Sequence, residues 1–274
     1  MGLLISLETL AAESVTGGSN TMVFDCRAHL GNLAQGKIDF DAGHIPGAQH
    51  ADLDQHLAAA PGAGGRHPLP EKEALANQFQ QWGINPATRI ICYDQNNGAF
   101  AARLWWLCRW LGHDDVFVLD GGLDGWIQKE HPVSTVQETF PQGRFASKPT
   151  LTNVCNATEL LESSSTLLDA RDSARYRGEV EPIDPVAGHI PGAISAPFSD
   201  NLSGGYFKPA ALLKQRFENM NLTPGSPLVC YCGSGVTAIH NVLALIIAGY
   251  PEPTLYPGSW SEWITDPDRP IETA

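Results

Sequence analysis

The chain has 274 residues, 43% hydrophobic and 17% charged, which suits a globular protein of two ordinary domains and excludes a disordered one. Its formal net charge of −13 argues against nucleic acid or an anionic membrane as partner, because both demand clustered Lys and Arg. No apolar run approaches the roughly 20 residues that span a bilayer. The start, Met1 to Leu10, lacks both a basic segment and a small-residue cleavage site, so it does not read as a signal peptide. Six cysteines spread along the chain read as reduced thiols of a cytoplasmic protein rather than a disulfide framework.

In chain order, the first strong element is the short apolar run Val23-Phe24-Asp25-Cys26-Arg27, read as a buried parallel strand reaching the rim of a sheet. Gly43-His44-Ile45-Pro46-Gly47-Ala48 follows. Next comes the apolar strand Ile90-Ile91-Cys92-Tyr93-Asp94, running into a Gly-containing loop and a Trp- and Leu-rich helix over Ala101 to Leu111. Asp120-Gly121-Gly122 through Trp126 closes the series. The same four landmarks recur in the same order. Leu167-Leu168-Asp169-Ala170-Arg171 matches the first, and Gly188-His189-Ile190-Pro191-Gly192-Ala193 the second. Leu228-Val229-Cys230-Tyr231-Cys232, with a nearly all-apolar helix over Ala238 to Ala248, matches the third, and Tyr256-Pro257-Gly258 through Trp263 the fourth. From Asp to His the separation is 19 residues in the first half and 20 in the second, so the chain is an internal duplication.

Strands alternating with helices predict an α/β fold of two tandem domains, each a parallel sheet flanked by helices on both faces. The stretch Gln137 to Thr152, with Pro141, Gly143 and Pro149 and no periodicity, reads as a linker. The expected domains are 1–137, a linker 138–152, and 153–274.

The two halves differ at one position that matters chemically. Asp94 stands where the second half has Cys232, and a carboxylate cannot carry sulfane sulfur whereas a thiolate can. Cys232 is followed by Gly233, Ser234, Gly235, Val236 and Thr237 and then a helix. A strand, a loop of small residues and a helix let backbone N–H groups form an anion-binding nest, and the helix dipole adds to its field. Both effects favour a thiolate or a persulfide. Cys92, Cys108 and Cys230, inside apolar strands or a helix, read as core residues. The glycines on either side of Ser234 waste core volume and suit close approach of a ligand.

On these residues the chain resembles the tandem-domain rhodanese superfamily over nearly its whole length, with the first half inactive because Asp94 replaces the cysteine. Its loop, Cys232-Gly-Ser-Gly-Val-Thr237, is similar to that of 3-mercaptopyruvate sulfurtransferases, whereas animal thiosulfate sulfurtransferases carry Arg and Lys there. Thiosulfate, a dianion, benefits from positive charge beside the nucleophile, and an uncharged Gly-Ser pair is expected to offer none. The resemblance implies a Ser-His-Asp relay of Ser234, His67 and Asp54 assisting Cys232, needed because splitting the C–S bond of mercaptopyruvate leaves an enolate to be protonated. His67 and Asp54 lie in the first half, so the site is expected at the domain interface. The resemblance also implies that Arg175 binds the donor's carboxylate as a planar bidentate partner. Gly233, Gly235, Val236 and Thr237 complete the loop that holds the donor.

One departure from the family concerns a second donor-binding arginine, usual in a Pro-Glu-Pro-Arg stretch. Here the segment reads Val180-Glu181-Pro182-Ile183-Asp184, and Arg177 or Arg171 is the candidate replacement. Thiosulfate therefore remains the alternative donor. The acceptor is expected to be a thiol, such as thioredoxin or a small thiol, or cyanide. No cofactor is implied. His44 and His189, like the repeated Asp-x-Arg pairs, read as structural. A cysteine phosphatase needs an arginine six positions after the nucleophile, where Ala238 stands. Zinc binding through Cys230-x-Cys232 lacks a second ligand pair, and an idle sulfur-carrier or regulatory module is the non-enzyme alternative.

Overall fold

Each half is built on parallel strands whose central members are apolar on both faces, as parallel sheets covered by helices require. The computed structural model describes residues 3–15 and 20–274, so Met1, Gly2 and the 16–19 segment lie outside it. The chain divides into two units. One comprises Met1–Ala59, Pro70–Leu151 and Gly204–Tyr206, the other Ala60–Leu69, Thr152–Ser203 and Phe207–Ala274.

The first half of the chain runs β1 (Leu4–Ile5), α1 (Leu7–Val15), β2 (Thr21–Asp25), α2 (Gln35–Ala42), β3 (Gln49–His50), α3 (Lys72–Gln81), β4 (Arg89–Tyr93), α4 (Ala101–Trp110), β5 (Val116–Leu119) and α5 (Gly122–Gln128). Its five strands form one parallel sheet in the order β1-β5-β4-β2-β3, with Val23 opposite Ile91 and Asp25 opposite Tyr93. The second half runs α6 (Ala157–Glu162), β6 (Thr166–Asp169), α7 (Ser173–Tyr176), β7 (Ile194–Ser195), β8 (Leu202–Ser203), β9 (Tyr206–Phe207), α8 (Ala210–Asn219), β10 (Leu228–Tyr231), α9 (Ala238–Ile247), β11 (Thr254–Leu255) and α10 (Ser259–Trp263). Its parallel sheet has the order β11-β10-β6-β7, and β8 with β9 makes a separate two-stranded pair. The architecture is two parallel α/β sheets flanked by helices, as the repeat predicts.

The strand before each loop is an interior one, which is why Ile90–Tyr93 and Leu228–Tyr231 are buried throughout. The helix after each loop is buried almost all round: α4 sinks Trp105, Trp106 and Leu107, and α9 sinks Ile239, Val242, Leu243 and Leu245. Trp126 and Trp263 lie in matching core clusters, and each donates its indole N–H to a proline carbonyl, Pro132 at 2.7 Å and Pro270 at 2.9 Å. No helix or strand runs through 138–152, yet the backbone is strapped down: Gly143 N–H donates to Gln80, Lys148 to Leu111 and Leu151 to Arg109. Among the described residues no helix is long and apolar enough to cross a membrane.

The repeated Asp-x-Arg motif ties strand end to turn, identically in both units. Arg27 pairs with Asp25 at 2.7 Å and reaches the Gly43 carbonyl, while the Tyr93 hydroxyl donates to Asp25 and accepts from Ile45 N–H. Arg171 pairs with Asp169 at 2.6 Å and reaches the Gly188 carbonyl, while the Tyr231 hydroxyl accepts from Ile190 N–H. The sequence reading of these pairs as braces therefore matches the geometry, and so does that of the histidines. His44 stacks on Phe40 and bonds the carbonyls of Phe40 and Val136; His189 stacks on Tyr176 and bonds its carbonyl.

Because Asp169 and Arg171 are both buried, removing one strands the other's charge. Arg171→Met is expected to lower the unfolding free energy by about 3–5 kcal/mol. Arg177→Met, which breaks only an exposed pair with Glu179, should leave the denaturation midpoint unchanged. Equal midpoints for the two variants in urea would contradict this ranking.

Candidate functional site

Between the end of β10 at Tyr231 and the start of α9 at Ala238 lie Cys232, Gly233, Ser234, Gly235, Val236 and Thr237. The first turn of α10 fixes this loop through its backbone. Cys232 N–H donates to Ser259 Oγ at 3.1 Å, and its carbonyl accepts from Trp260 N–H at 3.0 Å. The Gly233 carbonyl accepts from Ser261 N–H at 2.9 Å. Gly235 has φ +74, where only a glycine is unstrained, and a Cβ there would meet the Pro257 carbonyl oxygen at 2.1 Å. Cys232 is 1% exposed and Cys230 0%, so burial does not distinguish the two thiols. Their surroundings do. Burial, reinforced by the charge of Cys232, pushes the Cys230 thiol far up, as befits a core residue.

The segment Ala60–Leu69 belongs to the second unit although it precedes β4 in the chain. Gly62 and Gly65 exchange two backbone hydrogen bonds of 3.0 Å, and Arg66 N–H donates to Ser261 Oγ at 3.1 Å, pinning the segment to α10. It presents His67, whose Nδ1 lies 2.8 Å from Ser234 Oγ, with both side chains buried. It also presents Arg66. A Cβ on Gly233 would meet Arg66 Nη2 at 2.7 Å and both terminal nitrogens of Arg175 at 3.6 Å. Two guanidinium groups therefore flank the residue after Cys232. Burial pulls the Arg66 guanidinium below its ordinary value, and the charge at Cys232 opposes that most strongly.

Arg175, on the short α7, is held by Glu181 through Nε at 3.1 Å and Nη2 at 2.6 Å, and its Nη2 reaches Asp184 at 3.2 Å. The other oxygen of Asp184 accepts from Arg66 Nη1. Neither candidate replacement for the second arginine faces the loop. Arg171 is committed to Asp169 and the Gly188 carbonyl, and Arg177 to Glu179 at the surface. The uncharged Gly-Ser pair thus does not leave the loop without positive charge, contrary to the expectation from its sequence. The space that Gly233 leaves is filled by a guanidinium from elsewhere in the chain.

The second unit by itself brings together Cys232, Ser234, His67 and Arg175. Asp54 belongs to the first unit, on the segment after β3. Its N–H donates to Asp52 Oδ1 at 2.9 Å, and burial, with the neighbouring charge of Asp52 adding, raises its carboxyl above the ordinary range. Arg66 is the residue that the sequence reading passed over. A single arginine in a Gly- and Pro-rich stretch carries no local pattern, and its only signal was adjacency to His67.

The first unit shows what the equivalent loop does to an anion. Asp94, buried at the end of β4, accepts hydrogen bonds from the N–H groups of Asn97 and Gly98 on one oxygen and of Phe100 and Ala101 on the other, at 2.9–3.2 Å. Gly98, with φ 73, corresponds to Gly235, each standing three residues before its helix. The loop after β4 is therefore a nest of backbone N–H groups filled by the protein's own carboxylate, in the half that lacks the cysteine. Among the described residues no three His, Cys, Asp or Glu side chains group as metal ligands.

A model of the rhodanese-like domain matches residues 7–129 and again 156–266. A Pseudomonas aeruginosa protein named "Probable 3-mercaptopyruvate sulfurtransferase" is 46% identical, with 98% of each chain covered. The SseB protein of Mycobacterium tuberculosis, which bears a thiosulfate sulfurtransferase name, is 36% identical over 98% of this chain and 96% of its own. The solved structure of the 3-mercaptopyruvate sulfurtransferase SseA from Escherichia coli superposes with a TM-score of 0.80 at 31% identity, covering 96% of this chain and all of that one.

Of the six free cysteines, Cys155 is partly exposed while the others are buried, and burial pushes its thiol up to about 11. A raised thiol value makes the thiolate scarce at neutral pH. In a Cys232→Ser variant, iodoacetamide labelling of Cys155 should therefore rise about tenfold per pH unit from pH 8 to 10. A rate that levels off near pH 9 would contradict it.

Proposed function

The chain belongs to the rhodanese family, and on that premise we propose that Cys232 takes sulfane sulfur from 3-mercaptopyruvate as a persulfide and passes it to a thiol or to cyanide. The protein is an enzyme, a sulfurtransferase. The observation that carries the choice of donor is the 2.8 Å contact between His67 Nδ1 and Ser234 Oγ, two residues beyond the nucleophile. An acid–base couple at that position answers a need that mercaptopyruvate has and thiosulfate lacks.

In the first half-reaction the Cys232 thiolate attacks the sulfur of mercaptopyruvate. The S–S bond forms as the C–S bond breaks, and its electron pair becomes the enolate of pyruvate. Ser234 supplies the proton, His67 replenishes Ser234, and Asp54 is assigned the third place in the relay. Arg175 holds the donor's carboxylate. In the second half-reaction an acceptor thiolate or cyanide attacks the outer sulfur, and Cys232 leaves as thiolate. Between the two, the persulfide is held by the loop's N–H groups. The occupied nest at Asp94 supports this assignment and points to Gly235, Thr237 and Ala238 as the donors that match Gly98, Phe100 and Ala101. The acceptor is a small thiol or a redox protein of the thioredoxin kind, and the setting is the cytoplasm, where six free cysteines stay reduced.

Thiosulfate is the second reading, favoured by the two guanidiniums at Gly233, which supply the positive charge its sulfite leaving group uses. Sulfite leaves as a stable dianion, so loss of the relay should spare it. Ser234→Ala is expected to lower kcat/KM for mercaptopyruvate by about 100-fold, the scale of one acid–base group, and that for thiosulfate far less. Mass spectrometry of the wild type after mercaptopyruvate should show one added sulfur at Cys232, and cyanide should release it as thiocyanate. Initial rates should give parallel double-reciprocal lines. No added sulfur, or transfer surviving in Cys232→Ser, would sink the reading.

A further inference from the structure

Among the described residues, three that are not glycine have positive φ. Glu130 and Asn221 are exposed and stand just past the ends of α5 and α8, where such a conformation closes a helix. Ser259 differs: it is fully buried, has φ 54 and opens α10. A Cβ in this left-handed region crowds its own backbone, so such a residue persists only where its surroundings impose it. The first unit makes the same corner with a glycine. Gly122 opens α5 with φ 55, and the N–H groups of Leu123 and Asp124 donate to the carbonyls of Asp94 and Gln95. In the second unit Trp260 and Ser261 donate in the same way to Cys232 and Gly233. The corner itself therefore needs no side chain, and the serine stands in the half that carries the cysteine.

What the side chain adds is one hydrogen bond where the sheet runs out. β10 and β11 pair Cys230 with Leu255, and the Cys230 carbonyl accepts from Tyr256 N–H at 3.0 Å. In a regular parallel ladder the next rung joins Cys232 N–H to the Tyr256 carbonyl, as Cys26 N–H joins the Tyr93 carbonyl at 2.7 Å beside β2 and β4. Pro257 and Gly258 turn the chain away instead, and Ser259 Oγ stands in that rung. It accepts from Cys232 N–H at 3.1 Å and donates to the Tyr256 carbonyl at 2.9 Å. The inserted oxygen keeps the nucleophile's backbone an extension of β10, while Gly233 and Gly235 give the loop beyond it little stiffness of its own. With its proton committed to Tyr256 and no exposed surface, Ser259 is placed to hold Cys232 rather than to exchange protons with a donor. We propose that Ser259 is a positioning residue for sulfur transfer: its left-handed backbone sets Oγ into the last rung of the β10–β11 ladder, and that rung fixes the backbone from which Cys232 Sγ attacks.

This role rests on Cys232 being the sulfur carrier, and the experiment keeps the two apart. The wild type, Ser259→Gly and Ser259→Ala would be compared in single-turnover loading by mercaptopyruvate, read by mass as sulfur added at Cys232, and in urea unfolding. Both variants lack Oγ and differ from each other only in the Cβ. Loading at saturating donor should fall about tenfold in both, the loss of one hydrogen bond at the nucleophile, with the half-saturating donor concentration unchanged. Loading by thiosulfate should fall by the same factor, because the same sulfur attacks both donors, in contrast to Ser234→Ala. Stability should divide the variants: glycine relieves the strain at φ 54 and should unfold at a higher urea concentration than alanine. Activity that follows the oxygen while stability follows the Cβ marks a positioning role. Ser259→Gly loading sulfur at the wild-type rate overturns it, as do equal urea midpoints or a half-saturating concentration that rises in step with the loss. A wild type that gains no sulfur from mercaptopyruvate overturns the carrier reading and this role with it. A wild type that does, beside an unaffected Ser259→Gly, overturns only the role of Ser259.

Discussion

The buried pair of Asp169 and Arg171 is the constraint on which the second unit's chemistry depends. Arg171 closes the end of β6 against the Gly188 carbonyl, touches Glu181 at 3.4 Å, and lies 4.8 Å from the Trp260 ring. Each contact leads toward the loop. Glu181 fixes Arg175, and Trp260, in the first turn of α10, donates its N–H to the Cys232 carbonyl. A charge buried this deeply tolerates no wrong neighbour, because an uncompensated ion costs several kcal/mol. The pair therefore specifies where α7, α10 and the Gly188 turn must sit, and only secondarily contributes stability.

The two units use one scaffold for opposite ends. In the first, the nest at the end of β4 is satisfied from within by Asp94, whose oxygens collect four backbone N–H groups. Such a loop has no vacancy for a reactive anion. In the second, a thiol stands in the same place and its loop is one residue shorter before the matching glycine. A covalently attached sulfur anion then becomes the natural occupant. Duplication thus yields two copies of one strand–loop–helix scaffold that differ in the residue at the strand end, aspartate in one and cysteine in the other, and in the length and composition of the loop that follows.

Positive charge near Cys232 is supplied in trans to the loop. Arg66 and Arg175 come from segments more than 50 residues away in sequence and meet at Gly233, which is why that position has no side chain of its own. Carboxylates hold both arginines in place, and this explains how a chain of formal charge −13 accommodates an anionic donor: the local balance of six buried or half-buried groups, not the global field, decides.

Much of this was legible in the sequence, for a physical reason. The duplication, the parallel strands ending at Asp25, Asp94, Asp169 and Cys232, and the helices after both loops are written in local apolar periodicity and in residues whose backbone demands are stereotyped. The helix expected over Ala101 to Leu111 is observed at Ala101–Trp110, and that over Ala238 to Ala248 at Ala238–Ile247. The exchange of cysteine for aspartate needs only the chemistry of two side chains. The tertiary structure decided the rest. That Ala60–Leu69 packs with the second unit, that Arg66 and not Arg171 or Arg177 stands beside Gly233, and that Asp184 joins two arginines are contacts between residues up to 195 apart in sequence. Contacts of that range leave no periodicity and no spacing to read. They follow from shape and charge only once both sheets have formed.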